Sequence, residues 1–135
     1  MYIKTIAQDM QTVFEQLEQQ IKGHGMLLLC HINGQANAAK IGEQVPAVRV
    51  IEVFRPEFAV RVWRTEQKAG IEIPVRLYLY EDPEGNTVIM RRSLSDAFAK
   101  YELDTLSQVG HEADAVMESI VSLTAKNLQP QPIAE

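Results

Sequence analysis

The stretch that decides the fold is Ile73-Pro74-Val75-Arg76-Leu77-Tyr78-Leu79-Tyr80-Glu81-Asp82-Pro83-Glu84-Gly85-Asn86-Thr87-Val88-Ile89-Met90-Arg91. Val75, Leu77 and Leu79 alternate with Arg76, Tyr78 and Tyr80, the period-two pattern of a strand buried on one face only. Asp82 to Asn86 holds the proline and glycine of a hairpin loop. Thr87 to Arg91 therefore returns antiparallel. This hairpin predicts a sheet, and the segments around it predict the helices that cover it.

Upstream, Met10, Val13, Phe14, Leu17 and Ile21 recur at helical spacing and predict a helix over about 9–22 with one narrow apolar face. Gly23 and Gly25 end it. Met26-Leu27-Leu28-Leu29-Cys30-His31-Ile32 is an almost unbroken apolar run, which predicts a central strand covered on both sides. Residues 2–7 suit a first strand, 35–43 a short alanine-rich helix, and Ala47 to Phe54 another strand. Arg55-Pro56 opens a helix, with proline in the first turn where its missing N–H costs nothing. Phe58, Ala59, Val62 and Trp63 form its packing side, and Gly70 ends it. Downstream, Ser95 begins a turn of helix. A longer helix starts near Asp104, with Leu106, Val109, Ala113, Val116, Met117, Ile120 and Leu123 on one face. The whole reads as a single α+β domain over 1–127, a mixed sheet of four to five strands packed with helices. The tail, 128–135, has little to pack and is expected to be disordered.

Composition narrows the function classes. The 135 residues are 46% hydrophobic and 23% charged, ordinary for one globular domain. The net charge of −5 is concentrated after residue 92, where 2 basic residues face 7 acidic ones. No concentrated basic face is visible, which argues against nucleic acid. No run approaches the length of a membrane span, and no signal peptide is visible at the N-terminus. With a single cysteine, the expected location is the cytoplasm. Dinucleotide, P-loop, CxxC and HExxH fingerprints are all missing.

The order of short motifs resembles the domain of unknown function family 302. Its carriers are Gly23-x-Gly25 before the first apolar strand, Val50-x-x-x-Phe54-x-Pro56, Pro74-x-Arg76 and Tyr80-Glu81-Asp82 with Gly85. Ser95-x-x-Phe98-x-x-Tyr101 and Asp114 complete the match, which runs from about Phe14 to Leu123. The resemblance implies a compact α+β domain that commonly forms homodimers. It implies no agreed activity.

Among individual side chains, Cys30 is the strong nucleophile, but His31 beside it should point to the opposite face of a strand and so cannot activate it. A thiol-dependent enzyme or sulfur carrier is kept as an alternative, against the simpler reading of a buried structural cysteine. No cofactor and no metal are predicted; His24, His31 and His111 are the residual ligand candidates, and haem on His24, Met26 or His31 is the remaining cofactor alternative. His111, Asp114 and Glu118 share one helix face and read as solvated. Arg61, Arg64 and Lys68 form a basic stripe, with Glu57 spaced to pair with Arg61. The ligand site predicted is Arg49, Arg76 and Arg91 with Tyr78 and Tyr80. If the three strands lie in matching register, the guanidinium groups converge on one sheet face and hold a carboxylate or phosphate. The expected function is thus a homodimer that binds a small anionic ligand or serves assembly. A protein-interaction module using the acidic C-terminal helix and tail is the further alternative.

Overall fold

A computed structural model describes residues 1–129. Five strands form one sheet: β1 (Tyr2–Ile6), β2 (Leu27–Asn33), β3 (Val48–Phe54), β4 (Val75–Glu81) and β5 (Thr87–Arg91). Five α-helices accompany them: α1 (Met10–Gly23), α2 (Gly34–Lys40), α3 (Pro56–Thr65), α4 (Leu94–Phe98) and α5 (Asp104–Leu128). Two short 3-10 turns, Gln67–Glu72 and Ala99–Tyr101, follow α3 and α4. The α+β architecture expected from the sequence is the one observed. The expected tail lies outside the described residues from Pro130 onward.

The strand order is β1-β5-β4-β3-β2, and every pairing is antiparallel. The sheet is therefore not mixed. The physical reason is the connections: α1 carries the chain from one edge of the sheet to the other, and from β2 onward each strand pairs with the next as the chain meanders back. The β4–β5 hairpin forms as its sequence dictates. Asp82 Oδ1 accepts the N–H groups of Glu84 at 3.0 Å and Asn86 at 2.9 Å, and Gly85 takes the positive φ of 83° that the turn requires.

Among the described residues, the long helices α1 and α5 pack on one face of the sheet. Val75, Leu77 and Leu79 point into the core while Arg76 and Tyr78 are exposed. Ile51 and Val53 of β3 and Ile89 of β5 join the buried side. Met10, Val13, Phe14, Leu17 and Ile21 of α1 are buried as their spacing predicts, as are Leu106, Val109, Ala113, Met117 and Ile120 of α5. Each such aliphatic side chain contributes about 1.5–3 kcal/mol of transfer free energy. Helix α5 lies against α1, α3 and α4, which makes it the spine of the helical layer.

Two packing expectations fail. Strand β2 is an edge strand, not a central one, and Leu27, Leu29 and Ile32 are 48%, 54% and 42% exposed. An apolar run is ambiguous between a strand covered on both faces and one whose outer side is left for another partner. Trp63 is likewise exposed, and its indole lies over Gly70, where an added Cβ would come within 3.1 Å of the ring nitrogen.

Candidate functional site

Strand register decides which predicted site residues can meet. Residues opposite each other in a ladder share a face. Arg76 is opposite Glu52 and Tyr78 is opposite Val50, so both stand on the uncovered face, with Tyr80 opposite Val48. The Tyr78 and Tyr80 rings lie side by side, with centroids 5.8 Å apart. Arg49, by contrast, is opposite Leu79, and Arg91 is opposite Leu77, both on the helix side. The three arginines do not converge, because Arg49 and Arg91 share ladder rungs with the buried Leu79 and Leu77, whereas Arg76 stands one position off them in β4.

Arg49 instead reaches α1. Its Nη2 donates to Gln11 Oε1 at 2.6 Å, and its guanidinium lies 4.7 Å over the Phe14 ring. Arg91 is almost wholly buried and caps the end of the core. It stacks 4.1 Å over Tyr2, and its Nη2 donates to Glu118 Oε2 at 3.0 Å. Asp114 Oδ1 lies 3.9 Å from Arg91 Nη1.

Asp114 is the best-connected side chain among those singled out. Its Oδ2 accepts the hydroxyls of Ser93 and Ser95, each at 2.7 Å, and the Ser95 N–H at 3.1 Å. Its Oδ1 accepts the Leu94 N–H at 2.8 Å. Burial raises its pKa, but the four hydrogen bonds together outweigh this and hold the carboxyl below its ordinary value. Ser93 at the same time caps α4, its Oγ accepting the Asp96 N–H. The expected solvated face of His111, Asp114 and Glu118 is thus solvated at His111 and Glu118 but not at Asp114. The helical wheel placed these residues opposite the α1-facing stripe correctly, but α4 and β5 occupy that side. Arg61 also departs from its expected partner: it pairs with Glu112 of α5 at 2.6 Å instead of with Glu57.

The histidines are dispersed. His24 closes α1 with Nδ1 2.7 Å from the Gln20 carbonyl and Nε2 3.0 Å from Ser119 Oγ, so both ring nitrogens have partners. Its carbonyl accepts from Arg55 Nη2, and Met26, weighed with it as a haem ligand, is buried. His31 stacks on Phe14 at 4.3 Å; its pKa is lowered by burial and then by Arg49. His111 is exposed and bonds its own helix at the Ser107 carbonyl. Among the described residues no group of three His, Cys, Asp or Glu could hold a metal. Cys30 is opposite Glu52 on the uncovered face and partly exposed, not buried in the core. His31 is opposite Ile51 on the other face, as strand alternation demands.

The site that remains is a groove of about 640 Å3 at one end of the uncovered face. Arg76, Glu52, Tyr78, Val50 and Met90 line it, together with Arg92, which follows β5. Two transverse rows of the sheet build it. One row runs Cys30–Glu52–Arg76; the next runs Ile32–Val50–Tyr78–Met90–Ile3 and is apolar across all five strands. Among the described residues neither Arg76 nor Arg92 makes an ion pair. Glu72 at the groove's rim is matched by Lys100 at 3.3 Å. A charged rim beside an apolar floor of this volume suits one small molecule with a polar head. From the sequence, Glu52 is expected only as a pairing partner for the strand arginines, and it makes no ion pair among the described residues; Arg92 and Met90 carry no sequence signal.

No curated protein matches the chain. The crystal structure of an uncharacterized conserved protein DUF302 from Bacillus stearothermophilus has the same fold, with a TM-score of 0.78 over 95% of this chain and 97% of that one. At 18% identity the likeness carries the fold alone. Among the described residues no helix is long and apolar enough to cross a membrane. The family model for the domain of unknown function DUF302 matches residues 2–122, and the chain belongs to that family.

Proposed function

We propose that this chain is a cytoplasmic binding protein for a small anionic molecule, taken up in the groove on the uncovered sheet face. The observation that carries the reading is the pair of arginines, Arg76 and Arg92, lining a groove with an apolar floor while neither is paired to a carboxylate among the described residues. Guanidinium forks bind carboxylates and phosphates in two-point fashion, and they do so best where a ligand displaces water. Arg49, engaged with α1, takes no part; Arg91 borders the groove but is held by Tyr2 and Glu118, while Tyr78 supplies floor and Tyr80 its neighbouring ring.

The test is a thermal-shift and calorimetric screen of small carboxylates and inorganic phosphate against the protein and its Arg76→Gln variant. The reading expects at least one anion to raise the melting temperature, and Arg76→Gln to weaken that anion about tenfold or more without changing the stability of the free protein. If no anion binds, or the variant binds equally well, the reading fails.

Assembly as a homodimer is a second reading with its own support. Leu27, Leu29 and Ile32 are exposed on β2, whose outer edge is unpaired among the described residues. Such an edge is a template for another strand, and a second copy offers the same edge in twofold register. Cys30 lies on this strand opposite Glu52, and its neighbour His31 stands on the other face.

A further inference from the structure

The two charged residues at the centre of the groove are of opposite sign and are not joined to each other. Glu52 and Arg76 are directly opposite in the β3–β4 ladder. Side chains so placed start about 5 Å apart and ordinarily close into a cross-strand ion pair. Here no contact within ion-pairing distance forms between them among the described residues. Both instead line the groove, with Arg92 on the same rim. Among the described residues the groove therefore presents one carboxylate and two guanidinium groups without ion pairs, and Met90, Tyr78 and Val50 form an apolar strip one row away.

Building on the reading of the groove as an anion site, we infer that its ligand is an α-amino acid with an apolar or aromatic side chain. A plain carboxylate or phosphate held by Arg76 meets Glu52 at its flank, and like charges in a half-sheltered site repel. A zwitterion removes that conflict. Its carboxylate takes the arginine forks, and its ammonium, two bonds away, falls to Glu52. The spacing of neighbouring strands matches this arrangement, since the two partners are one ladder rung apart. The side chain then lies along the Tyr78–Met90–Val50 strip, where its apolar surface leaves water. A phosphate ester or a sugar would leave that strip uncovered. A free amine would find Glu52 but face two arginines.

Three probes of one shape separate the possibilities: L-phenylalanine, 3-phenylpropanoate, which lacks the amine, and 2-phenylethylamine, which lacks the carboxylate. Binding is followed by titration calorimetry on the full chain. L-phenylalanine is expected to bind about tenfold or more tighter than 3-phenylpropanoate, and 2-phenylethylamine to bind weakest. Glu52→Gln should erase the preference for L-phenylalanine while leaving 3-phenylpropanoate bound as well or better. Arg76→Gln should weaken both carboxylates together. Both substitutions sit on the uncovered face, and an unchanged melting temperature of each free variant establishes that it folds. If 3-phenylpropanoate binds as tightly as L-phenylalanine, or Glu52→Gln keeps the preference, the amino-acid assignment is overturned and anion binding stands. If other anions bind but L-phenylalanine does not, the outcome is the same. If no carboxylate or phosphate binds at all, both readings fall.

Discussion

Replacing Asp114 with alanine removes the acceptor that joins α4 to α5, and its cost can be worked from the four hydrogen bonds it receives. Two come from serine hydroxyls at 2.7 Å and two from backbone N–H groups at 2.8 and 3.1 Å. A hydrogen bond to a charged acceptor contributes about 1.5–3 kcal/mol, but bonds sharing one carboxylate do not add. The hydroxyls can turn to other partners; the N–H groups of Leu94 and Ser95 cannot. Arg91, buried nearby, also loses a countercharge. A loss of about 3–4 kcal/mol is expected, a fall in melting temperature of about 10 °C for a chain of this size. Urea unfolding followed by circular dichroism measures it. The carboxyl also gives the effect a pH signature. Because its folded pKa lies below the ordinary 3.8, its contribution is fully present above about pH 4. It is lost as pH falls through the lower folded value. The difference in stability between the natural protein and Asp114→Asn should therefore shrink as pH drops below 4. A loss under 1 kcal/mol at pH 7, or a difference that stays constant down to pH 2, would refute the reasoning.

Gly110→Ala tests the same junction without touching charge. A methyl group there would sit 2.7 Å from Ser95 Cα and 3.0 Å from its nitrogen, both backbone atoms. The helix-propensity gain of about 1 kcal/mol is outweighed by overpacking, for a net loss of about 2 kcal/mol; a neutral or stabilised variant by calorimetry would show that α4 yields. Cys30, partly exposed on an edge strand, should react with iodoacetamide in the folded protein, as intact mass would report. If β2 pairs with a second copy, that rate falls as protein concentration rises and sedimentation shows a dimer; a rate independent of concentration removes β2 from the interface.

Local order was legible wherever one period dominated. The five apolar positions of α1 were read from spacing alone because a single narrow stripe has only one way to face a core. The β4–β5 hairpin was readable for a related reason: strict alternation ends in Asp82-Pro83-Glu84-Gly85-Asn86, a turn whose carboxylate and glycine roles are local. Non-local matters were hidden. Alternation within β4 puts Arg76 opposite in sense to Leu77, yet nothing inside β3 or β5 says which of their residues stands across from it. A one-residue difference in register sends Arg49 and Arg91 to the other face. The same blindness affected β2, where an apolar run looked central because no local signal marks an edge.

Asp114 shows a different limit, and one that sharpens the functional argument. Its spacing places it on the side of α5 away from the α1-facing stripe, but spacing alone does not tell solvent from a second covering element, and α4 lies there. Two local signs existed: Ser93-Leu94-Ser95-Asp96, the pattern of a capped helix start, and Gly110, a helix-interior glycine whose lack of a side chain only makes sense where another backbone comes close. Both point to a junction, and the junction accounts for Arg91 and Glu118 as well. These charges hold the helical layer on the sheet. Glu52, Arg76 and Arg92, which line the groove, make no ion pair among the described residues. Spending side-chain charge beside an apolar strip gains the fold nothing, so the groove is where a function has to be sought.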